Sequence, residues 1–316
     1  MVKRTLLLAT CLLACMAHAM APSVADDRIA IAEIKSLWSQ QLQDAKAISK
    51  EAGQKILTLR SSGKLISQDI VLQNGKKVRQ TNADVEASQY IIDALTKRYP
   101  TYGLLSQDQM DKDPNWHTKE YVWMINPIDG TKEYEKGSDD FHVQVGLLEG
   151  NTPVLGVSYY PVTDTYAWAV KGQGAWLEKE GAIQQRLHAV PSSEKILLKS
   201  TSHQVITSYF AKWNWVPAKV NEEHVSSTSR LLKILRGEAS LYISLGASPL
   251  GTEKKGGVWN YGANVVIAKE SGLMLTTLNG HQINLREPHG LLIEGVVVTN
   301  DPEAYDAVVQ SDWRLQ

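Results

Sequence analysis

Trp123-Met124-Ile125-Asn126-Pro127-Ile128-Asp129-Gly130-Thr131-Lys132-Glu133-Tyr134 runs from an apolar strand through a tight turn to the start of a helix. Within Ile128 to Thr131 a main-chain carbonyl, a carboxylate (Asp129) and a hydroxyl (Thr131) come close together. Proteins place metal-bound phosphate at such a corner, because turn oxygens hold a cation while amides at the helix start face an anion. Asn126 breaks the pattern. It presents an amide where a second carboxylate is expected.

Outward from this corner, the chain of 316 residues begins like an export signal. Lys3 and Arg4 precede an apolar run from Thr5 to Ala14, and Ala17-His18-Ala19 reads as a cleavage site, giving a signal peptide over 1–19. The apolar run is too short to span a bilayer stably. Leu12-Leu13-Ala14-Cys15 also resembles a bacterial lipobox, with Cys15 as the lipidated residue. The expected location is therefore the periplasm, or the membrane surface through an anchor on Cys15. Cys11 and Cys15 both lie in the leader, so cleavage at Ala19 leaves no thiol for a disulfide, a nucleophile or a metal. Without Lys3 and Arg4, 31 basic residues face 34 acidic ones, a net charge of −3. No basic stripe with interleaved aromatics is present, which argues against a nucleic-acid polymer as partner.

Apolar residues at helical spacing (Ile34, Leu37, Ala45, Ile48, Ala52, Ile56) predict a helix within 28–60. A polar stretch, 73–80, leads to Thr81 or Asn82 as cap of a second helix with Ile91, Ile92 and Leu95 inward. Strands at 122–125, 141–148, 154–160, 166–170 and 175–177 follow at meander spacing. After Pro191 the texture alternates in α/β fashion. Strands are expected at 196–199, 241–243, 273–275 and 296–298, and helices near 204–213, 228–238, 258–271 and after Asp301-Pro302. An α+β domain over 27–190 and an α/β domain over 191–316 are the expected division.

Four segments in order resemble the inositol monophosphatase superfamily. They are Thr81-Asn82-Ala83-Asp84, Asn126 to Tyr134, Phe141 to Leu147, and Trp259-Asn260 at the opening of a helix. The Gly-Thr-Lys-Glu-aromatic extension favours the 3'(2'),5'-bisphosphate nucleotidase branch. The resemblance implies an αβαβα layered sandwich of the inositol monophosphatase and sugar phosphatase type, and Mg²⁺-dependent phosphomonoester hydrolysis. It implies that Asp84 and Thr131 activate a water, that Asp129 and the Ile128 carbonyl hold metal, and that three further carboxylates complete the cradle. Those three positions carry Gln107, Asn126 and Asn260. Asp108 stands beside Gln107 as a substitute. Gly130, Thr131, Lys132, Ser227 and Thr228 are the implied substrate contacts.

Three of the four ligand carboxylates are thus amides, and the cradle's charge drops from −4 to −1. Two unit charges at ~4 Å interact by about 4 kcal/mol at an effective dielectric of 20, so the loss weakens divalent binding far more than amide oxygens restore it. Each replacement keeps the side-chain shape and deletes the charge. The corner then reads as a neutral or slightly cationic site for a small phosphorylated or sulfated molecule, with Lys76, Lys77 or Arg79 and the Gly130-Thr131 amides in place of metal. Mg²⁺ is the expected cofactor of an active form, and none is needed by a binding form. Alternatives are a non-catalytic binding protein and an envelope scaffold. Plainer roles remain for single residues: Asp84 as a first-turn helix residue, Lys76, Lys77 and Arg79 as a solvated loop, Trp123 and Trp259 as core, Ser227 and Thr228 as helix caps, and His142 as a packing or surface residue.

Overall fold

The computed structural model describes residues 37–71, 77–108, 113–200, 203–246, 256–287, 290–292 and 294–313. The leader, Cys15, Ile34 and Lys76 lie outside these residues. The described chain belongs to one compact unit, 34–316. None of its helices is long and apolar enough to cross a membrane.

Helix α1 (Ser39–Ser61) buries Leu42, Ala45, Ile48, Ala52 and Ile56 along one stripe, as the spacing requires. Leu37 departs from that expectation and is exposed, because it sits in the turn ahead of the helix and out of its phase. The polar stretch forms a hairpin, β1 (Ser67–Val71) against β2 (Lys77–Thr81), which alternation alone does not reveal. Thr81 caps α2 (Asn82–Arg98) through a capping box with Asp84.

A seven-stranded sheet follows in sequence order: β3 (Gly103–Ser106), β4 (Tyr121–Asp129), β5 (His142–Glu149), β6 (Thr152–Tyr160), β7 (Thr165–Val170), β8 (Ala175–Lys179) and β9 (Ala182–Leu187). Only β3 and β4 run parallel. Strand β4 is longer than the apolar run suggests and continues through a bulge between Asn126 and Asp129 into the corner, where helix α3 (Thr131–Glu135) begins. The second half forms a five-stranded sheet from β10 (Ile196–Leu198), β11 (Lys219–Asn221), β12 (Leu241–Ser244), β14 (Met274–Thr277) and β16 (Val296–Thr299). Helices α4 (His203–Tyr209), α5 (Ser227–Leu235), α6 (Gly262–Ser271) and α7 (Pro302–Val309) accompany it, and a short pair, β13 (Gly256–Gly257) and β15 (Leu291–Leu292), stands apart.

Alternation along the strands sets five layers. On β7, Tyr166 reaches the Lys46 carbonyl of α1, while Ala167 and Ala169 pack with Leu231 of α5 and Val266 of α6. On β16, Val298 joins that same middle layer, and Val297 faces Ile206 of α4 and Val308 of α7. The result is the αβαβα sandwich. Trp123 and Trp259 are fully buried. The cut near 190 falls between the two sheets, and α6 packs on both.

Helix α6 approaches the large sheet closely because two glycines face it. A Cβ on Gly146 would stand 2.5 Å from the Gly262 carbonyl carbon, and one on Gly156 would stand 2.4 Å from the Ala263 oxygen. Backbone cannot yield as a flexible side chain does. Gly156→Ala is expected to destabilise the fold by about 2–3 kcal/mol, read as a lower urea midpoint with unchanged slope.

Candidate active site and its charge balance

Three helix starts converge at the end of β4. Gly130 makes the turn with φ +98°, and a Cβ there would meet the Asp140 carbonyl oxygen at 2.5 Å, so only glycine closes the corner. Thr131 then opens α3 and its hydroxyl lies 2.9 Å from Asp84 Oδ1 and 3.1 Å from the Ile128 carbonyl. The other Asp84 oxygen accepts from the Thr81 amide at 2.7 Å and the Thr81 hydroxyl at 2.6 Å. Asp84 and Thr131, paired in sequence by resemblance, therefore touch.

The positions of the metal cradle are arranged differently. Gln107 Oε1 accepts the Trp259 indole N–H at 2.6 Å. Asn126 Nδ2 donates to Asn260 Oδ1 at 2.8 Å, leaving Asn126 Oδ1 buried without a partner. Asn260 lies in a 3-10 turn just ahead of α6 rather than within a continuous 258–271 helix. Asp108 turns to β2, where it accepts from Gln80 Nε2 at 2.7 Å.

Asp129 is the carboxylate that remains, and protein donors surround it. Its oxygens accept from the Ser227 amide (3.3 Å), the Ser227 hydroxyl (2.9 Å to each oxygen), the Thr228 amide (2.9 Å) and Gln144 Nε2 (3.1 Å). Burial works to raise this carboxyl, yet the contact with His142, the Thr228 amide and Ser227 outweigh it and hold the group below the usual range. Ser226, not Ser227 or Thr228, caps α5. His142 is neither surface nor simple packing: its Nδ1 lies 3.0 Å from Ser226 Oγ, and its ring nitrogens stand 3.8 Å from Asp129 and from Asp140.

A pair of Mg²⁺ ions needs several anionic oxygens with free lone pairs. Here one carboxylate is at hand and is already saturated, Gln107 and Asn260 present bonded amide oxygens, and the Ile128 carbonyl faces Thr131. Among the described residues, no group of three or more His, Cys, Asp or Glu side chains is placed to hold a metal. The residues present do not fit a divalent pair.

The cleft over this corner encloses about 650 Å³ and is bordered by basic Lys77, Arg79, Lys132, Lys136 and Arg230 and by acidic Asp69, Asp129, Glu133 and Glu135. Arg79 is not available for a ligand. Glu135 takes its guanidinium through both oxygens, with Asp69 at 3.3 Å, and this contact holds Glu135 down at about 2. Lys77, Lys132, Lys136 and Arg230 form no ion pair among the described residues. Arg230 stacks on the Tyr242 ring at 4.5 Å. Gly130, Thr131, Lys132 and Ser227 border the cleft, whereas Thr228 is buried behind it. Gln144, Asp140, Lys136 and Arg230 escaped the sequence reading; the hydroxyl run Ser226 to Ser229 and the neighbouring Asp139-Asp140 were the signals that mark them.

The sequence profile of the inositol monophosphatase family matches residues 38–316. The chain is similar to the 3'(2'),5'-bisphosphate nucleotidase CysQ of Salmonella typhimurium, 27% identical over 227 residues that cover 69% of this chain and 84% of that protein. It is similar to the inositol-1-monophosphatase of Bacillus subtilis, 24% identical over 264 residues, 81% of this chain and 92% of that one. Among solved structures, SaIMPase-II with bound inositol monophosphate has the same fold, with a TM-score of 0.65 at 17% identity over 86% of this chain and 93% of its own.

Burial pushes the Asp84 carboxyl up to about 6, and burial together with the Asp84 charge pushes Asp108 up to about 7, from an ordinary 3.8. Both groups hold protons in the folded protein that the unfolded chain has released, so their effect is to lower stability as pH rises from about 4 to 7. Asp108→Asn keeps the bond from Gln80 and removes the charge. The variant is expected to melt with the natural protein near pH 4 and roughly 3–6 °C above it at pH 8, by calorimetry.

Proposed function

The chain belongs to the inositol monophosphatase family, and we propose that it binds a small phosphorylated or sulfated molecule in the cleft while its metal-dependent hydrolysis is crippled. Family membership and the nucleotidase and monophosphatase relatives support a phosphomonoester as the ligand class. The observation that carries the loss of catalysis is the state of Asp129: the one surviving cradle carboxylate spends its lone pairs on Ser227, Thr228 and Gln144. Against it stand four cations without carboxylate partners among the described residues, Lys77, Lys132, Lys136 and Arg230, around a corner where the opening amides of α3 have no intrahelical acceptor. Such a field suits an anion better than a divalent cation.

Residual hydrolysis is the second reading, favoured by the intact contact between Thr131 and Asp84. In that case the pair orients a water and Asp84 takes its proton, a modest contribution alone. Export is part of the proposal: the leader over 1–19 delivers the protein to the periplasm, or Cys15 anchors it to the membrane.

Titration calorimetry with adenosine 3',5'-bisphosphate and with inositol 1-phosphate, in Mg²⁺ and in EDTA, tests the proposal. Expected are equal affinities in both buffers and no phosphate release; tight Mg²⁺ uptake or Mg²⁺-dependent turnover overturns it. Lys132→Ala is expected to weaken binding about tenfold, the ~1.4 kcal/mol of one exposed charge-assisted contact. Gln107→Glu, Asn126→Asp and Asn260→Asp together are expected to introduce Mg²⁺-dependent phosphate release, whereas a scaffold role predicts no ligand binding in the natural protein.

A further inference from the structure

The first turn of a helix leaves backbone amides without intrahelical acceptors, and each needs a partner when buried. At α5 the account is complete. The Ser226 amide donates to Asp140 Oδ2 at 2.7 Å, those of Ser227 and Thr228 to Asp129 at 3.3 and 2.9 Å, and that of Ser229 to Ser226 Oγ at 3.2 Å. The next amide, of Arg230, already takes the Ser226 carbonyl at 3.1 Å. Hydroxyls repeat the arrangement: Ser227 donates to Asp129, and Ser226 and Ser229 donate to Asp140. The two carboxylates flank the segment that carries the Gly130 turn and α3, and His142 stands between them. Gln144 closes the group from β5 by donating to both Asp129 and Thr228.

We propose that Asp129 acts as an internal anion that docks the α5 N-terminus onto the end of β4, with Asp140 completing the dock, and not as a ligand for a cation. The dock and the Ser226 cap between them consume every amide of the α5 first turn. Ser227 and Thr228 therefore hold Asp129 and offer no free first-turn amide to a ligand. The dock rests on the metal-free view of the site proposed above.

The test is the thermal melt of the full chain, natural and Asp129→Ala, with Mg²⁺, EDTA or sodium formate, the small carboxylate that replaces the group removed. Asp129→Ala is expected to lower Tm by roughly 5–10 °C, since several charge-assisted bonds are lost. Formate at high concentration is expected to restore at least a third of that loss and to leave the natural protein unmoved. A cation-ligand role gives neither result: removing a lone ligand carboxylate leaves the apo protein as stable or more so, and formate does nothing. No Tm loss in the variant, or an equal response of both proteins to formate, overturns the dock. Mg²⁺ raising the natural Tm and failing in Asp129→Ala overturns the dock and the metal-free site together, whereas a dispensable Asp129 with no Mg²⁺ response overturns the dock alone. Should Asp129→Ala not fold, Asp129→Asn carries the test, with amide exchange over 226–229 expected at least tenfold faster than in the natural protein and unchanged exchange overturning it.

Discussion

An ionised carboxylate removed from water must be solvated by something, and at Asp129 that role falls to the first turn of α5. The group is 6% exposed, and leaving such a charge uncompensated costs several kcal/mol. Two amides, a hydroxyl and the Gln144 carboxamide take the place of water. The bonds tie the end of β4 to a helix of the middle layer and to the neighbouring strand β5. Everything at the corner is placed relative to that tie. Gly130 turns immediately after it, and Thr131 opens α3 with its hydroxyl on Asp84.

Asp84 does for α2 what Asp129 does for α5. Its side chain closes the capping box with Thr81 and also receives Thr131, so one carboxylate joins two helix starts. The positive ends of α2, α3 and α5 therefore meet within one small volume, and their aligned peptide dipoles favour negative charge there. At α5 two amides go to Asp129, whereas at α2 Asp84 takes the Thr81 amide, the Ile66 carbonyl that of Asn82 and the Thr81 hydroxyl that of Asp84. The third, at α3, borders the cleft through Gly130, Thr131 and Lys132.

Much of this was legible beforehand, for reasons that differ by element. Helical spacing exposes α1 and α2 because each buries a single stripe, and the meander strands stand out because turn residues punctuate them. The β1–β2 hairpin escaped because Lys77, Arg79 and Gln80 show no apolar alternation; register with β1 and the clasp of Arg79 by Glu135 shape it instead. At the site, Asp129 and Thr131 were visible through one contiguous motif, and Asp84 through a separate short segment, Thr81 to Asp84. Their partners were not. Gln144 reaches Asp129 only because a bulge in β4 shifts the register between Asn126 and Asp129. Asp140 and the Ser226 to Ser229 run are almost ninety residues apart in the chain and meet only through the sandwich. Leu37 failed for a local reason, since helical phase carries no meaning in a turn.

Of the amides at 107, 126 and 260, Asn126 and Asn260 bond to each other, whereas Gln107 is held by Trp259. Asn126 and Asn260 bond as two neutral amides; an aspartate at 126 would keep a bond once the Asn260 amide turned its NH2 toward it, but would add a charge at a buried position. A glutamate at 107 would keep the Trp259 bond but add a charge at a position that is only 8% exposed. Restoring any one carboxylate alone therefore brings desolvation and repulsion without supplying the attraction of an ion, which needs several carboxylates at once. The reverse holds as well: a full cradle is tolerable only when a cation neutralises it. Between the charged cradle with metal and the neutral network without it, intermediate compositions are penalised from both sides. Asp129, the carboxylate at this corner, is the one with a helix to hold it.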